Sequence, residues 1–145
     1  MTIPMTVDDL LAREGIRHRL AVYNNAGDRG QLDELAAVFT EDGILETPGH
    51  TSRGRAEIVQ FLRAVMDRYA AAPERATGRA RHFLSQPRIE LTGAEAANVW
   101  TYFQVILLGD IRETGIYVDT FRKVGTQWLI SHRRVKLEWM APEKE

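Results

Sequence analysis

The chain has 145 residues, 44% hydrophobic and 27% charged, with a formal net charge of −1 and no cysteine. That length supports one domain with a real core and hardly two, so residues 1–145 read as a single domain. A charge near zero gives no field that favours nucleic acid or an anionic membrane. The missing cysteines exclude disulfides, thiol nucleophiles and Cys-based metal sites.

Met1 to Thr6 has neither the basic start nor the apolar stretch of a signal peptide. No apolar run approaches the roughly 20 residues that span a bilayer, so a cytoplasmic protein is expected. Thr6-Val7-Asp8-Asp9 reads as a helix start, with Thr6 as N-cap and acidic residues in the first turn. Leu10, Leu11, Ile16, Leu20 and Tyr23 continue an apolar stripe until Gly27 and Gly30 break it. Leu32, Leu35, Ala36 and Phe39 fall at i, i+3, i+4 and i+7 and predict a short second helix. Glu41-Asp42-Gly43 reads as a turn into a strand from Ile44 to Thr47, and Pro48 to Gly54 as a loop. The third helix is the clearest: Ile58, Phe61, Leu62, Val65, Met66 and Tyr69 keep one face apolar until Pro73 stops it. Glu74 to Arg81 reads as a polar connection.

The remainder reads as strands. Arg81 to Leu91 is interrupted near Pro87, which suits an edge or a bulge. Ala97 to Leu108, Thr114 to Lys123 and Gln127 to Trp139 follow, separated by turns that carry Gly93, Gly109 and Gly125. The order α-α-β-α-β-β-β-β predicts an α+β fold, its long strands joined as an antiparallel meander. Apolar positions between Val99 and Leu108 do not alternate, so both faces of that strand are expected to be buried. Helices cover one face, and a second copy of the chain would cover the other, which predicts a homo-oligomer.

Several short stretches recur in this order in a known family. They are Tyr23-(x4)-Asp28, Leu35-(x3)-Phe39 with Glu41-Asp42-Gly43, Gly54-Arg55, Arg81-His82-Phe83, Gly115-Ile116-Tyr117-Val118-Asp119 and Trp128-Leu129-Ile130-(x2)-Arg133. In this order and spacing the chain resembles the SnoaL-like, scytalone-dehydratase-like branch of the nuclear-transport-factor-2-like superfamily. The resemblance implies a curved antiparallel sheet wrapped around three helices, a cone-shaped α+β barrel with a pocket inside. It implies a dimer or trimer, with trimers among the nearest-looking lyases. The family shares a fold and not a chemistry. One subset pairs an Asp at the end of the first helix with a His on the first long strand, and those positions hold Asp28 and His82. Tyr23 matches a tyrosine five residues before that Asp. The second catalytic His of scytalone dehydratase would fall near Thr101, and its two water-holding tyrosines near Gly27 and Thr47, which argues against scytalone as the substrate.

Each of these residues also has a structural reading. In a strand His82 shares a face with Leu84 and Gln86, as a general base or as a core histidine satisfied by a backbone carbonyl. Asp28 either holds His82 or caps the second helix. Tyr23 points toward the core and would bond a substrate oxygen or a backbone group. An unbroken helix puts Tyr23 and Asp28 about 140° apart, so both reach one pocket only if the helix ends between them. Asp119 and Arg133 read as a structural ion pair, or Arg133 reaches a substrate oxygen as the last-strand arginine of related lyases does. Trp100 and Tyr102 are core or pocket wall, and Phe61 lies on the apolar face of the third helix. His18, His50 and His132 are scattered, and no metal-ligand spacing or phosphate-cradling glycine loop is present.

The expected function is a cofactor-independent, dehydratase-type β-elimination on a small apolar cyclic hydroxy or keto compound. Catalysis falls to His82, Asp28 and Tyr23, and substrate binding to Arg133, Trp100, Tyr102 and Phe61. The alternatives are an isomerase or polyketide-cyclase-type enzyme in the same pocket, and a non-catalytic small-ligand-binding or accessory protein.

Overall fold

The first helix starts at a reciprocal cap. Asp9 N donates to Thr6 Oγ1 at 3.1 Å and Thr6 N donates to Asp9 Oδ2 at 3.0 Å, satisfying two of the amides that a helix start leaves unpaired. In the computed structural model, which describes residues 5–72 and 79–142, helix α1 spans Val7–Asp28. Its buried row is Ala12, Ile16, Leu20 and Ala26. Leu10 and Leu11, read from sequence as part of that stripe, are exposed because they fall outside the arc of that row. Gly15 lets α1 lie close against Trp128, since a Cβ there would stand 2.9 Å from the indole.

Helix α2, Leu32–Ala36, is shorter than its apolar spacing predicts. Phe39, its expected fourth contact, instead opens strand β1, Phe39–Thr47. Glu41-Asp42-Gly43 is a bulge inside β1 and not a turn before it, for the pairing register shifts between Phe39 and Ile44. The predicted loop contains strand β2, His50–Arg53, antiparallel to β1 across the Pro48-Gly49 turn. Only Ser52 of its four residues is buried, so no apolar pattern announced it.

Gly54, at φ +83°, enters helix α3, Gly54–Ala70. Arg55 then donates from Nε and Nη2 to the Phe39 carbonyl at 3.0 and 2.6 Å, tying the start of α3 to the bulged strand. Of the long apolar stripe on α3 only Ile58 is fully buried. Pro73 and most of the connection after it lie outside the described residues.

The strands that follow are β3 (Arg81–Leu84), β4 (Arg88–Gly93), β5 (Ala96–Leu107), β6 (Asp110–Val124) and β7 (Gln127–Met140). The break around Pro87 therefore falls where it was expected. The seven strands form one curved sheet that wraps the helices without closing, in the order β2-β1-β7-β6-β5-β3, with β4 also on β5. The sheet is mixed, which corrects the wholly antiparallel expectation: β1 lies parallel to β7. Hairpins dictate antiparallel pairing for β4 to β7, but β1 reaches β7 through most of the chain, and a long crossover permits a parallel partner.

Within the single chain, burial on β5 alternates strictly, so one face packs inward and the other looks outward. Ala97, Val99, Thr101, Phe103, Val105 and Leu107 face in, while Trp100, Tyr102 and Gln104 face out. The aromatic outward residues hid the alternation. Across the register, Trp100 neighbours Val118, Tyr102 neighbours Ile116, and Phe83 and Trp139 flank the same face.

The inner face is packed solid at one end. Ile16 and Leu20 of α1 meet Val99, Phe121, Trp128 and Ile130 there, with Phe39, Leu45 and Ile58 beside them. At the other end the C-terminal part of α1, the apolar face of α3 and the far halves of β5, β6 and β7 diverge around a cavity.

Candidate active site

Strand β3 pairs with β5 along one edge only, placing His82 opposite Val105. Its other edge faces the last turn of α1, where two side chains replace a neighbouring strand. His82 N donates to Asp28 Oδ2 at 3.1 Å, and Asn24 Nδ2 donates to the His82 carbonyl at 3.1 Å. Asn24 and Asp28 lie one helical turn apart and so share a face. The same carboxylate takes the imidazole: His82 Nδ1 stands 2.7 Å from Asp28 Oδ1. A carboxylate there accepts from Nδ1–H, which assigns the neutral ring its Nδ1 tautomer and leaves Nε2 with a lone pair. The Asp28 side chain is 9% exposed and that of His82 35%. Asp28 is not the cap of α2, whose N-cap is Gln31. As predicted, His82 and Leu84 share the inner face, with Phe83 outside.

Both members of the pair line the cavity, a partly open pocket of about 680 Å³, within the range of small-molecule sites. Its walls are chiefly apolar: Leu32, Leu35, Phe61, Val105, Val135 and Leu137. Phe61 is thus where the sequence reading put it. The α3 residues Phe61, Leu62, Val65, Met66 and Tyr69 line this space, Phe61 and Leu62 also packing against the core, because helical periodicity reports which side is apolar and not whether that side is filled. Thr47 also lines it, and its hydroxyl is buried with no hydrogen-bond partner among the described residues.

Tyr23 and Asp28 both line the cavity although α1 runs unbroken through Asp28, correcting the requirement that the helix end between them. Tyr23, Gly27, Asn24 and Asp28 fall in that angular order over about 140°, and the cavity is wide enough to meet the whole arc. The Tyr23 ring meets Phe39 and Tyr117 edge-on, with centroids 6.0 and 6.1 Å away. Burial pushes its phenol above the ordinary tyrosine range, and the nearby Arg133 charge opposes that shift. Burial, and next the neighbouring Tyr23, push Tyr117 up as well. Both phenols therefore stay protonated donors at neutral pH.

Arg133 does not reach the cavity. Its guanidinium grips Asp119 with two 2.8 Å hydrogen bonds, and both side chains are fully buried. The rings of Tyr117 and Tyr23 stand against it, their centroids 4.0 and 4.2 Å from Cζ. Burial works against its charge, but Asp119 outweighs it and Arg133 holds its proton more tightly than usual. The structural ion-pair reading is the observed one, and substrate contact by Arg133 is corrected: its side chain is fully buried and does not line the cavity, whereas Tyr23 and Tyr117 do. Trp100 and Tyr102 are also corrected as substrate-binding residues, because strand alternation puts them on the outer face, away from the cavity.

Asn24 was missed, although an amide four residues before Asp28 on one helix face was a legible signal. Tyr69 and Glu113, bonded at 3.1 Å at the cavity wall, were missed with less to show for them. Among the described residues no group of three or more His, Asp or Glu is placed to hold a metal ion. None of the described helices is long and apolar enough to cross a membrane.

A family model for the SnoaL-like domain matches residues 8–134. Among solved structures the chain superposes on a scytalone dehydratase-like protein from Novosphingobium aromaticivorans DSM 12444, with TM-score 0.78 and 23% identity over 97% of this chain and 93% of that one. Hexachlorocyclohexane dehydrochlorinase LinA-type3 from Novosphingobium barchaimii LL02 gives 0.79 and 16%, over 94% and 93%. ActVI-ORFA from Streptomyces coelicolor gives 0.74 and 16%, over 86% and 96%. At such identities the likeness speaks for the fold alone. No curated protein matches the chain.

Proposed function

The chain belongs to the SnoaL-like family, and from the site it carries we propose that it is a cofactor-independent lyase. It eliminates water from a small, largely apolar cyclic hydroxy or keto compound. One observation carries this reading: His82 is held through Nδ1 by Asp28 at the wall of a mostly apolar cavity, leaving Nε2 as acceptor. Nε2 takes a proton from the carbon beside the carbonyl or ring system, and the C–H electron pair becomes the new C=C bond. The hydroxyl on the adjacent carbon leaves with its bonding pair, takes the proton back from the imidazolium and departs as water. Asp28 stabilises the transient imidazolium. Tyr23, kept protonated by burial, donates to the substrate oxygen on which negative charge develops. Screening hydroxylated alicyclic and aromatic ketones for a new conjugated chromophore tests the reading. Binding without turnover across the panel would make the cavity a ligand-binding site.

Two expectations follow. Tyr23→Phe should lower kcat about 10–100-fold on such a substrate, the worth of one hydrogen bond to developing charge, with circular dichroism unchanged. The outer face holding Phe83, Trp100, Tyr102 and Trp139 should be covered by a second copy of the chain. Light scattering at micromolar concentration should return a dimer or trimer, and a monomer would remove that part of the proposal.

A further inference from the structure

The cavity has a second polar end. His82 is register partner to Val105, Val105 to Glu113, and Glu113 to Met140. All four line the cavity, so one cross-strand row runs along its wall. With strands spaced ~4.8 Å apart, His82 and Glu113 are ~10 Å from each other at the backbone, and the residue between them is apolar. From the opposite wall, Tyr69 of α3 donates its hydroxyl to Glu113 Oε1 at 3.1 Å. A carboxylate offers about four acceptor positions, and Tyr69 takes one of them.

We infer that Glu113, oriented by Tyr69, is a specificity-determining anchor that selects ligands carrying a hydroxyl at the end remote from His82. The inference rests on the reading of the His82 end given above and adds the substrate class: compounds with two polar ends across a rigid apolar body. A carboxylate in an apolar wall discriminates because a ligand without a donor desolvates it and returns nothing. The group it selects is a neutral hydroxyl rather than a cation, since Arg68 and Arg79 line the same cavity. A purely structural brace between α3 and β6 would make the same Tyr69–Glu113 bond, but would not distinguish two ligands that differ by one hydroxyl.

The test is equilibrium binding by calorimetry, which needs no turnover, so failure of the elimination mechanism leaves it readable. Two matched pairs of different length serve as probes: 6-hydroxy-2-tetralone against 2-tetralone, and estrone against 3-deoxyestrone. In at least one pair the wild type should bind the hydroxylated member ~10-fold or more tightly, the size of a hydrogen bond to a charged acceptor. Glu113→Leu should abolish that preference by weakening the hydroxylated member alone. Tyr69→Phe should narrow it, and His82→Ala should keep it. If Glu113→Leu does not fold, the near-isosteric Glu113→Gln carries the same comparison with a smaller expected loss. No preference in either pair, including no binding at all, overturns the inference. So does a preference that survives the Glu113 variants, or an equal weakening of both members, which is what a brace would give.

Discussion

His82→Ala should lower turnover on an eliminated substrate by ~10²–10⁴, the usual worth of a positioned general base, while leaving the fold intact. The imidazole is 35% exposed and its backbone amide bonds to Asp28 independently of the side chain. Asp28→Asn should also reduce turnover by orders of magnitude, for a different reason. The amide nearly matches the carboxylate in shape, but it removes the charge that stabilises the imidazolium and can donate to Nδ1, favouring the wrong tautomer. Because both substitutions disable one proton transfer, the double variant should be little slower than His82→Ala alone. Single-turnover rates on the substrate found by screening decide this. Full activity in His82→Ala would end the elimination mechanism, and multiplicative losses in the double variant would show the two residues acting separately.

Arg133→Met should destabilise the fold by about 3–5 kcal/mol, because it leaves Asp119 as an unpaired charge in a fully buried site. That is a large fraction of the 5–15 kcal/mol typical of a whole domain. It also removes the cation that both the Tyr23 and Tyr117 rings pack against. The second substitution sharpens the argument. In Asp119→Leu/Arg133→Met both charges are replaced by apolar groups, and much of the loss should return, since apolar replacements of buried pairs are often neutral or better. Urea denaturation of the three proteins measures it. A small effect of Arg133→Met would mean that water reaches Asp119. A double variant no better than the single would mean that the pair contributes net stability rather than placement of the two tyrosines.

What the sequence made legible was what depends on neighbours along the chain. The Thr6 cap, the α3 stripe and the break at Pro87 each follow from propensity or periodicity within a few residues. Asp28 and His82 were reached only through their place in a family pattern, since nothing local says that a helix end meets a strand edge. Strand β2 escaped because its residues are mostly solvated, and the parallel pairing of β1 with β7 because no turn chemistry encodes it. The outward position of Trp100 and Tyr102 was obscured because apolar residues on both faces of β5 mask the two-residue period. Glu113 meets Tyr69 through register and helix placement, neither of which leaves a mark on the residues themselves.

The parallel contact between β1 and β7 has a kinetic consequence. Leu45 sits beside Arg133 and Ile44 beside His132, so an early strand finds its partner only in the last one. During synthesis β1 and its hairpin mate β2 emerge long before β7 exists, and until then one edge of β1 is an open template. Contacts of such sequence separation are slow to form. Refolding from denaturant should be limited by this docking step, with β4 to β7 acquiring amide protection before β1.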